Sequence, residues 1–435
     1  MKLLTIIFLV ISIAHISAAQ KKKKDYRISL NEIAEQYVRL TLDIGQIDPD
    51  YVDAYYGPPE WQEQSQRMKY QPTALRDRAE GLLQRTKSVR IPASDKKSSL
   101  RKTYLTKQLT AAYAKTDMLS GTPYSFDEEA KKLYDVVPPT YRAAYFQKIV
   151  RDLDGLLPKT EGSIRERYEA YRTAFAIPKT KLDTVFTAAI DECRIRTKRR
   201  IALPENESFI VEYVTDKPWS GYNWYKGNAH SIIQVNTDFP IFIDRAIDLA
   251  AHEGYPGHHV YNVLLESELL KKNGWIEFCI YPLFSPQSLI AEGSANYGIR
   301  IAFTEKERLR FEQEVLFPLA GLDPAAAEHY YKVQEIAARL AYAGNEAARG
   351  YLNGTMTKDE ALEWLVSYAL FEPARAEQRI RFIEKYRSYV INYNYGQDLV
   401  KSYVEKKAGK NASSEKRWKI FAELLSSPRM PGGLK

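Results

Sequence analysis

A proline interrupts the most histidine-rich stretch of this chain. Residues 252–259 read HEGYPGHH, and Pro256 stands four positions after His252, where a continuing α-helix would need a backbone N–H. The preceding run DFPIFIDRAIDLAA has apolar residues at helical spacing and leads straight into His252. The helix must therefore open between the first histidine and the other two, and Gly257 tolerates the backbone angles such a break requires. His15 belongs to the N-terminal segment described below. Of the other five histidines, three fall in these eight residues, and only His230 and His329 lie elsewhere.

Imidazole is the commonest metal ligand, and Glu253 follows the first histidine directly. The zinc-hydrolase pattern H-E-x-x-H sets two histidines on one helical face with the glutamate as base. Here the place of the second histidine is taken by Pro256. On an unbroken helix His258 would lie roughly 240° round from His252, and His259 on the same face but roughly 10.5 Å up the axis. Neither would then share an ion bound at about 2.0–2.1 Å. A bulge at Pro256 resolves this by carrying His258 to the missing position. His258 is expected as the second ligand, with His259 as the alternative or as a group that supports the site or meets substrate. The competing reading is a helix end with surface histidines.

Two histidines need a third ligand. SPQSLIAEGSANYG supplies Glu292, forty positions after His252, on a helix that Ser285-Pro286 is suited to start. Its neighbours are apolar on one side and small on the other, so burial of its carboxylate demands a partner. Asp244 and Asp248 precede His252 by eight and four positions and are candidates to orient it. In INYNYGQDL, Tyr393 and Tyr395 are candidate donors to a developing oxyanion. Arg379, Arg381 and Arg387 are candidates to meet a substrate carboxylate.

Most of the chain carries helical periodicity, at 31–45, 73–87, 98–119, 139–157 and 180–200, and again beyond Pro240. Residues 51–61 read as an aromatic-rich turn. SFIVEYV and SIIQVN read as strands flanking the turn-rich KPWSGYNWYKGNA, a small β-hairpin or sheet over 207–236. SIIQVN is the strand expected to pair with an extended substrate. The organisation expected is a helical part over 30–200 and a catalytic part over 201–425, with the metal-site helices at 240–300, as one continuous domain.

Lys2, the apolar run Leu3 to Ala14 and Ser17-Ala18-Ala19 form an export signal cleaved before Gln20, too short to span a bilayer. Residues 20–29 then start the mature chain as a basic, flexible tail. Of the net charge of +8, Lys2 and the four lysines from Lys21 to Lys24 account for five, leaving +3. A nucleic-acid role needs a basic face on the folded part, and RIRTKRR at 194–200 reads more simply as the solvated end of a helix. An exported, periplasmic or secreted protein without stable membrane insertion is expected. Cys193 and Cys279 are too few for a disulfide scaffold and read as buried free thiols.

At HEGYPGHH and AEGSANYG the sequence resembles a bacterial family known as domain of unknown function 885. Its members look like helical zincin-type metallopeptidases with an H-E-x-x-P-G-H-H signature and a downstream Glu-Gly helix. The matching residues are His252, Glu253, Pro256, Gly257, His258, His259, Glu292 and Gly293. VDAYYGPPEW and YNYGQDL are similar to one branch. EGSANYG departs from the usual EGWALY, keeping the acid but changing the packing around Asn296. The resemblance implies a mainly α, helical zincin-like (gluzincin-type) metallopeptidase fold with the small β-hairpin or sheet before the metal-binding helix.

The combined expectation is an exported hydrolase of peptide bonds with one Zn²⁺ held by His252, His258 or His259, and Glu292. Glu253 would serve as base, and Tyr393 or Tyr395 would stabilise the oxyanion. The alternatives are an amidase or carboxypeptidase-like enzyme on small substrates, and a secreted helical binding protein with a degenerate metal site.

Overall fold

The computed structural model describes residues 26–435 apart from Pro218. The expected export signal and residues 20–25 of the basic tail lie outside the described residues. The protein is mainly α-helical. Residues 26–45 form the first helix, with Leu30, Ile33, Ala34, Tyr37, Val38 and Thr41 buried at three- and four-residue spacing. Pro72–Ser88, Lys96–Leu119 and Leu182–Lys198 follow near the predicted spans. Phe126–Tyr134 and Ile164–Thr173 were not predicted. Each opens on a serine whose side chain and the glutamate three residues on satisfy each other's backbone N–H, Ser125 with Glu128 and Ser163 with Glu166.

Two small sheets break the helical pattern. β1 (Val52–Tyr55) lies in the segment expected to be a turn, and it pairs antiparallel with β5 (Ile280–Pro282). The second sheet holds β2 (Ser208–Val214), β3 (Gly221–Gly227) and β4 (His230–Asn236) in the order β2-β4-β3. The stretch read as turn-rich is thus itself a strand. It joins β4 through Asn228 and Ala229, both at positive φ, as in a type I′ turn. The buried Glu266 carboxylate accepts both backbone N–H groups of that turn at 3.0 and 3.2 Å, together with the Tyr225 hydroxyl. β4, the SIIQVN strand, pairs with β2 on one side and β3 on the other. It has no free edge, so it cannot add a substrate strand; β2 and β3 are the edges.

One apolar cluster runs from Leu30 to Leu434 and takes in the histidine motif's flanks. Within it the helix Pro286–Ala302 is buried along nearly its whole length. It crosses the helix Ile391–Ala408 so closely that a Cβ on Gly293 would stand 2.4 Å from the backbone of Gly396. That approach positions the carboxylate of one helix against the tyrosines leading into the other.

Gly293→Ala is therefore expected to cost about 3 kcal/mol or prevent folding, at the upper end of overpacking penalties. Gly81 lies on the exposed face of the helix Pro72–Ser88 with nothing near its missing Cβ. Gly81→Ala should stabilise by about 0.5–1 kcal/mol. Urea unfolding of the two variants checks the contrast.

Candidate metal centre

The helix Ile243–Leu249 widens at Ala250–Gly254 into a π turn, in which the Tyr255 N–H reaches back five residues to the Ala250 carbonyl at 3.0 Å. Pro256 has no N–H to continue the ladder, so the chain leaves the helix there. A new helix, His258–Leu264, begins two residues later. Gly257 makes the join possible, since a Cβ there would fall 1.9 Å from the His252 carbonyl oxygen. The break thus expected at Pro256 brings two imidazoles from different helical segments together. Their Nε2 atoms are 3.1 Å apart and their rings nearly perpendicular.

Glu292 completes the group. Its Oε2 is 3.4 Å from His252 Nε2 and 3.7 Å from His258 Nε2. Three atoms bound tetrahedrally at about 2.0–2.1 Å from one ion stand about 3.3 Å from each other, so these separations match a shared cation. His252, His258 and Glu292 are the metal-ligand group found among the described residues. A second observation agrees: Glu292 Oε2 is buried and has no hydrogen-bond partner, while Oε1 accepts from the Tyr389 hydroxyl at 2.9 Å. A buried carboxylate oxygen left open toward two imidazoles is what a divalent ion would satisfy.

The tautomer of His252 follows from Asn296. The Asn296 amide nitrogen donates to the Tyr393 carbonyl at 3.0 Å, which turns its Oδ1 toward His252 Nδ1, also at 3.0 Å. Nδ1 must then carry the proton, leaving the Nε2 lone pair for a ligand. Asp244 and Asp248, expected in this role, are engaged elsewhere. Asp244 accepts from the Tyr330 hydroxyl at 2.6 Å and Asp248 pairs with Arg308 at 3.1 Å.

His259 does not join the group. It is fully buried, with Nδ1 2.8 Å from the Ser231 hydroxyl and Nε2 3.0 Å from Glu207. Glu207 also accepts from Tyr255, Arg194 and Lys198 at 2.7, 3.0 and 2.8 Å. His259 thus fastens the motif to the sheet. RIRTKRR is in part the anchor of that clamp rather than a wholly solvated helix end. Consecutive helical residues point about 100° apart, so only one of His258 and His259 can face the site.

Glu253 is buried, and its Oε1 lies 3.9 Å from His252 Nε2. Gly221, at the start of β3, packs against this carboxylate, and Asn223 holds the Glu253 carbonyl at 2.8 Å. Tyr393 stacks edge-on to Tyr389 at 5.7 Å, within the electrostatic reach of Glu292 and Glu253. Tyr395, about 200° round the helix from it, packs instead beside Tyr141 and Tyr342, in the cluster around Phe146. Of the three arginines, Arg381 approaches Glu377 at 3.9 Å and Arg387 binds Glu129 at 2.6 Å. Arg379 has no carboxylate partner among the described residues.

The sequence reading missed Tyr389, Asn296 as an orienting group, and Asp53. Asp53 sits on β1, accepts from the Tyr222 hydroxyl, and adds a third carboxylate to the field around His258. Burial raises it to about 6 against the opposing pull of Tyr222 and His258. Burial alone would lower His258, but Glu292, Glu253 and Asp53 outweigh it and hold the imidazole at about 9. Burial would likewise raise Glu292, but the two imidazoles hold it far below the usual carboxylate range.

No family model and no curated protein matches the chain, so the family resemblance stands on its motif residues alone. Among the solved structures the chain resembles are three with TM-scores below 0.5. A provisionally assigned lipoprotein of Colwellia psychrerythraea is 15% identical, with a TM-score of 0.49, over 83% of this chain and 68% of its own. A second such lipoprotein, of unknown function, from Shewanella oneidensis is 14% identical, with a TM-score of 0.44, over 81% and 72%. Metallocarboxypeptidase 1 of Trypanosoma cruzi is 11% identical, with a TM-score of 0.45, over 93% and 90%. Likeness at this level assigns neither fold nor function. No helix among the described residues is long and apolar enough to cross a membrane.

The raised His258 fixes the sign of two pH effects. Its protonated form favours the folded state, a contribution complete below about pH 6.5 and lost as pH rises through about 9. A cation must displace that proton to bind. Zinc added to chelator-treated protein near neutral pH should release about one proton per ion, a release that fades above pH 9. Calorimetry in buffers of different ionisation enthalpy measures it.

Proposed function

We propose that this protein is a metal-dependent hydrolase of peptide bonds, with Zn²⁺ held by His252, His258 and Glu292. The convergence of two Nε2 atoms and an unpartnered carboxylate oxygen at ligand spacing carries the reading. A zinc ion there would act as a Lewis acid, lowering the pKa of water and polarising a carbonyl.

The chain's own groups supply the rest. Glu253 projects from the π turn into the edge of the same space, and it takes a proton from the attacking water. The water oxygen bonds to the carbonyl carbon. Glu253 then gives the proton to the amide nitrogen as the C–N bond breaks, so a carboxylic acid and an amine leave. Tyr393 is the donor for the oxyanion, because the Tyr389 hydroxyl is committed to Glu292 and Tyr395 faces away. The free edge of β3 begins at Gly221 against Glu253, so an extended peptide adding to β3 would run past the base. Export from the cytoplasm belongs to this reading through the N-terminal signal.

Glu253→Gln keeps the shape of the side chain and removes the base. It should retain bound zinc by elemental analysis and lose hydrolysis by about a thousandfold. Retained turnover would eliminate Glu253 as base. Loss of metal affinity in Glu292→Gln, with unchanged folding, tests the ligand set separately.

A further inference from the structure

Tyr389, whose hydroxyl bonds the Glu292 carboxylate, is reached through a strained backbone joint. The helix Pro373–Tyr386 stops at Arg387, which stands at φ 52° and ψ −123°. At positive φ, a residue with a Cβ has one small allowed region, at roughly φ +50 to +70° and ψ +30 to +60°. Asp135, at φ 61° and ψ 15°, lies close to it, whereas Arg387 lies far outside. The turn at Arg387 has the backbone of a glycine but is built on an arginine. A helical residue there would carry the chain on along the axis of Pro373–Tyr386 and take Tyr389 away from Glu292.

Such a conformation persists only where its surroundings hold it, and here one carboxylate does so. Glu129 is buried on the helix Phe126–Tyr134. Its Oε2 accepts from Arg387 Nε at 2.6 Å. Its Oε1 accepts from the Ser388 backbone N–H at 3.0 Å and from the Ser388 hydroxyl at 2.6 Å. All three donors belong to the two residues between the helix end and Tyr389, and bonds to a charged acceptor are the strong ones. Ser388 is fully buried. The helix of Glu129 also meets Tyr389 directly, through Tyr134, which lies edge-on to its ring at 6.1 Å.

From the joint the path to the metal centre is one residue long. The Tyr389 hydroxyl donates to Glu292 Oε1 at 2.9 Å, while Oε2 faces His252 and His258. We propose that Glu129 is a positioning residue for the metal centre: by holding Arg387 in its strained turn it sets the Tyr389 hydroxyl on Glu292, and with it the affinity for the cation. This rests on the reading of His252, His258 and Glu292 as ligands. Groups that hold a ligating carboxylate change metal affinity by about 10–100-fold when removed.

The test measures zinc affinity by competition with a chelator. Glu129→Gln can still accept from Ser388 but turns an N–H toward the guanidinium, and it should bind zinc about tenfold more weakly. Adding Arg387→Gly to Glu129→Gln should restore the affinity, because glycine takes the turn without being held. Tyr389→Phe should cost as much as Glu129→Gln, and the two together no more than either, since both act through one hydroxyl. Unchanged affinity in Glu129→Gln, a loss that glycine does not repair, or additive losses overturn the proposal. If Glu129→Gln does not fold, Arg387→Ala and Arg387→Gly decide instead. Both lack the guanidinium, but only alanine keeps the Cβ that the turn opposes, so only alanine should weaken zinc binding. Crystal structures of the metal-free Glu129→Gln and unaltered proteins read the joint without the ion. A Tyr389 hydroxyl out of hydrogen-bond reach of Glu292 in the variant upholds the positioning role, even if the unaltered protein takes up no zinc and the metal-centre reading fails. A hydroxyl still bonded to Glu292 overturns it.

Discussion

A missing N–H organises this molecule. Because Pro256 cannot donate, the helical ladder ends in a π turn and restarts at His258, and the two imidazoles meet from separate helices rather than from successive turns of one. Everything else at the site answers to that junction. Gly257 lets the chain turn inside the volume of a methyl group, and Glu207 ties His259, Tyr255, Arg194 and Lys198 into a brace on its far side. Asn296 holds the ring of His252 in the orientation the junction leaves open.

The second constraint is the burial of Glu292. A charged carboxylate in the middle of a nearly solvent-free helix is tenable only with partners on both oxygens. Tyr389 serves one oxygen, and the two imidazoles face the other. The close crossing at Gly293 and Gly396 packs the tyrosine-bearing helix hard against Glu292's own. Backbone packing and site chemistry are therefore the same feature seen from two sides. The tyrosine that supports the ligand and the carbonyl that fixes Asn296 both come from residues 389–393.

Much of this could be read before any coordinates. The proline-glycine interruption, its consequence for the spacing of His252 and His258, and the need for a distant buried carboxylate follow from helix geometry and the cost of burying charge. The helical class follows from periodicity, which is strong over long amphipathic stretches. What escaped was short or depended on contacts distant in sequence. β1 is only four residues long and β3 is rich in Tyr, Gly and Asn, and only their pairing partners make them strands. The helices at Phe126 and Ile164 were announced by S-x-x-E boxes that periodicity over short spans does not weigh. Asn296 looked like a departure in packing because its carbonyl partner, Tyr393, lies almost a hundred residues on. Tyr389 was one of 31 tyrosines, with nothing local to distinguish it.

The two neighbouring histidines are a pair in spelling only. His258 opens the second helix and looks across the break, whereas His259 looks into the sheet and is held there at both nitrogens. Each is committed by surroundings contributed from different parts of the chain. Neither can stand in for its neighbour, and the duplicate imidazole gives the protein no spare. A lineage that lost the first could not recover by promoting the second, for doing so would release the brace that keeps the break in register.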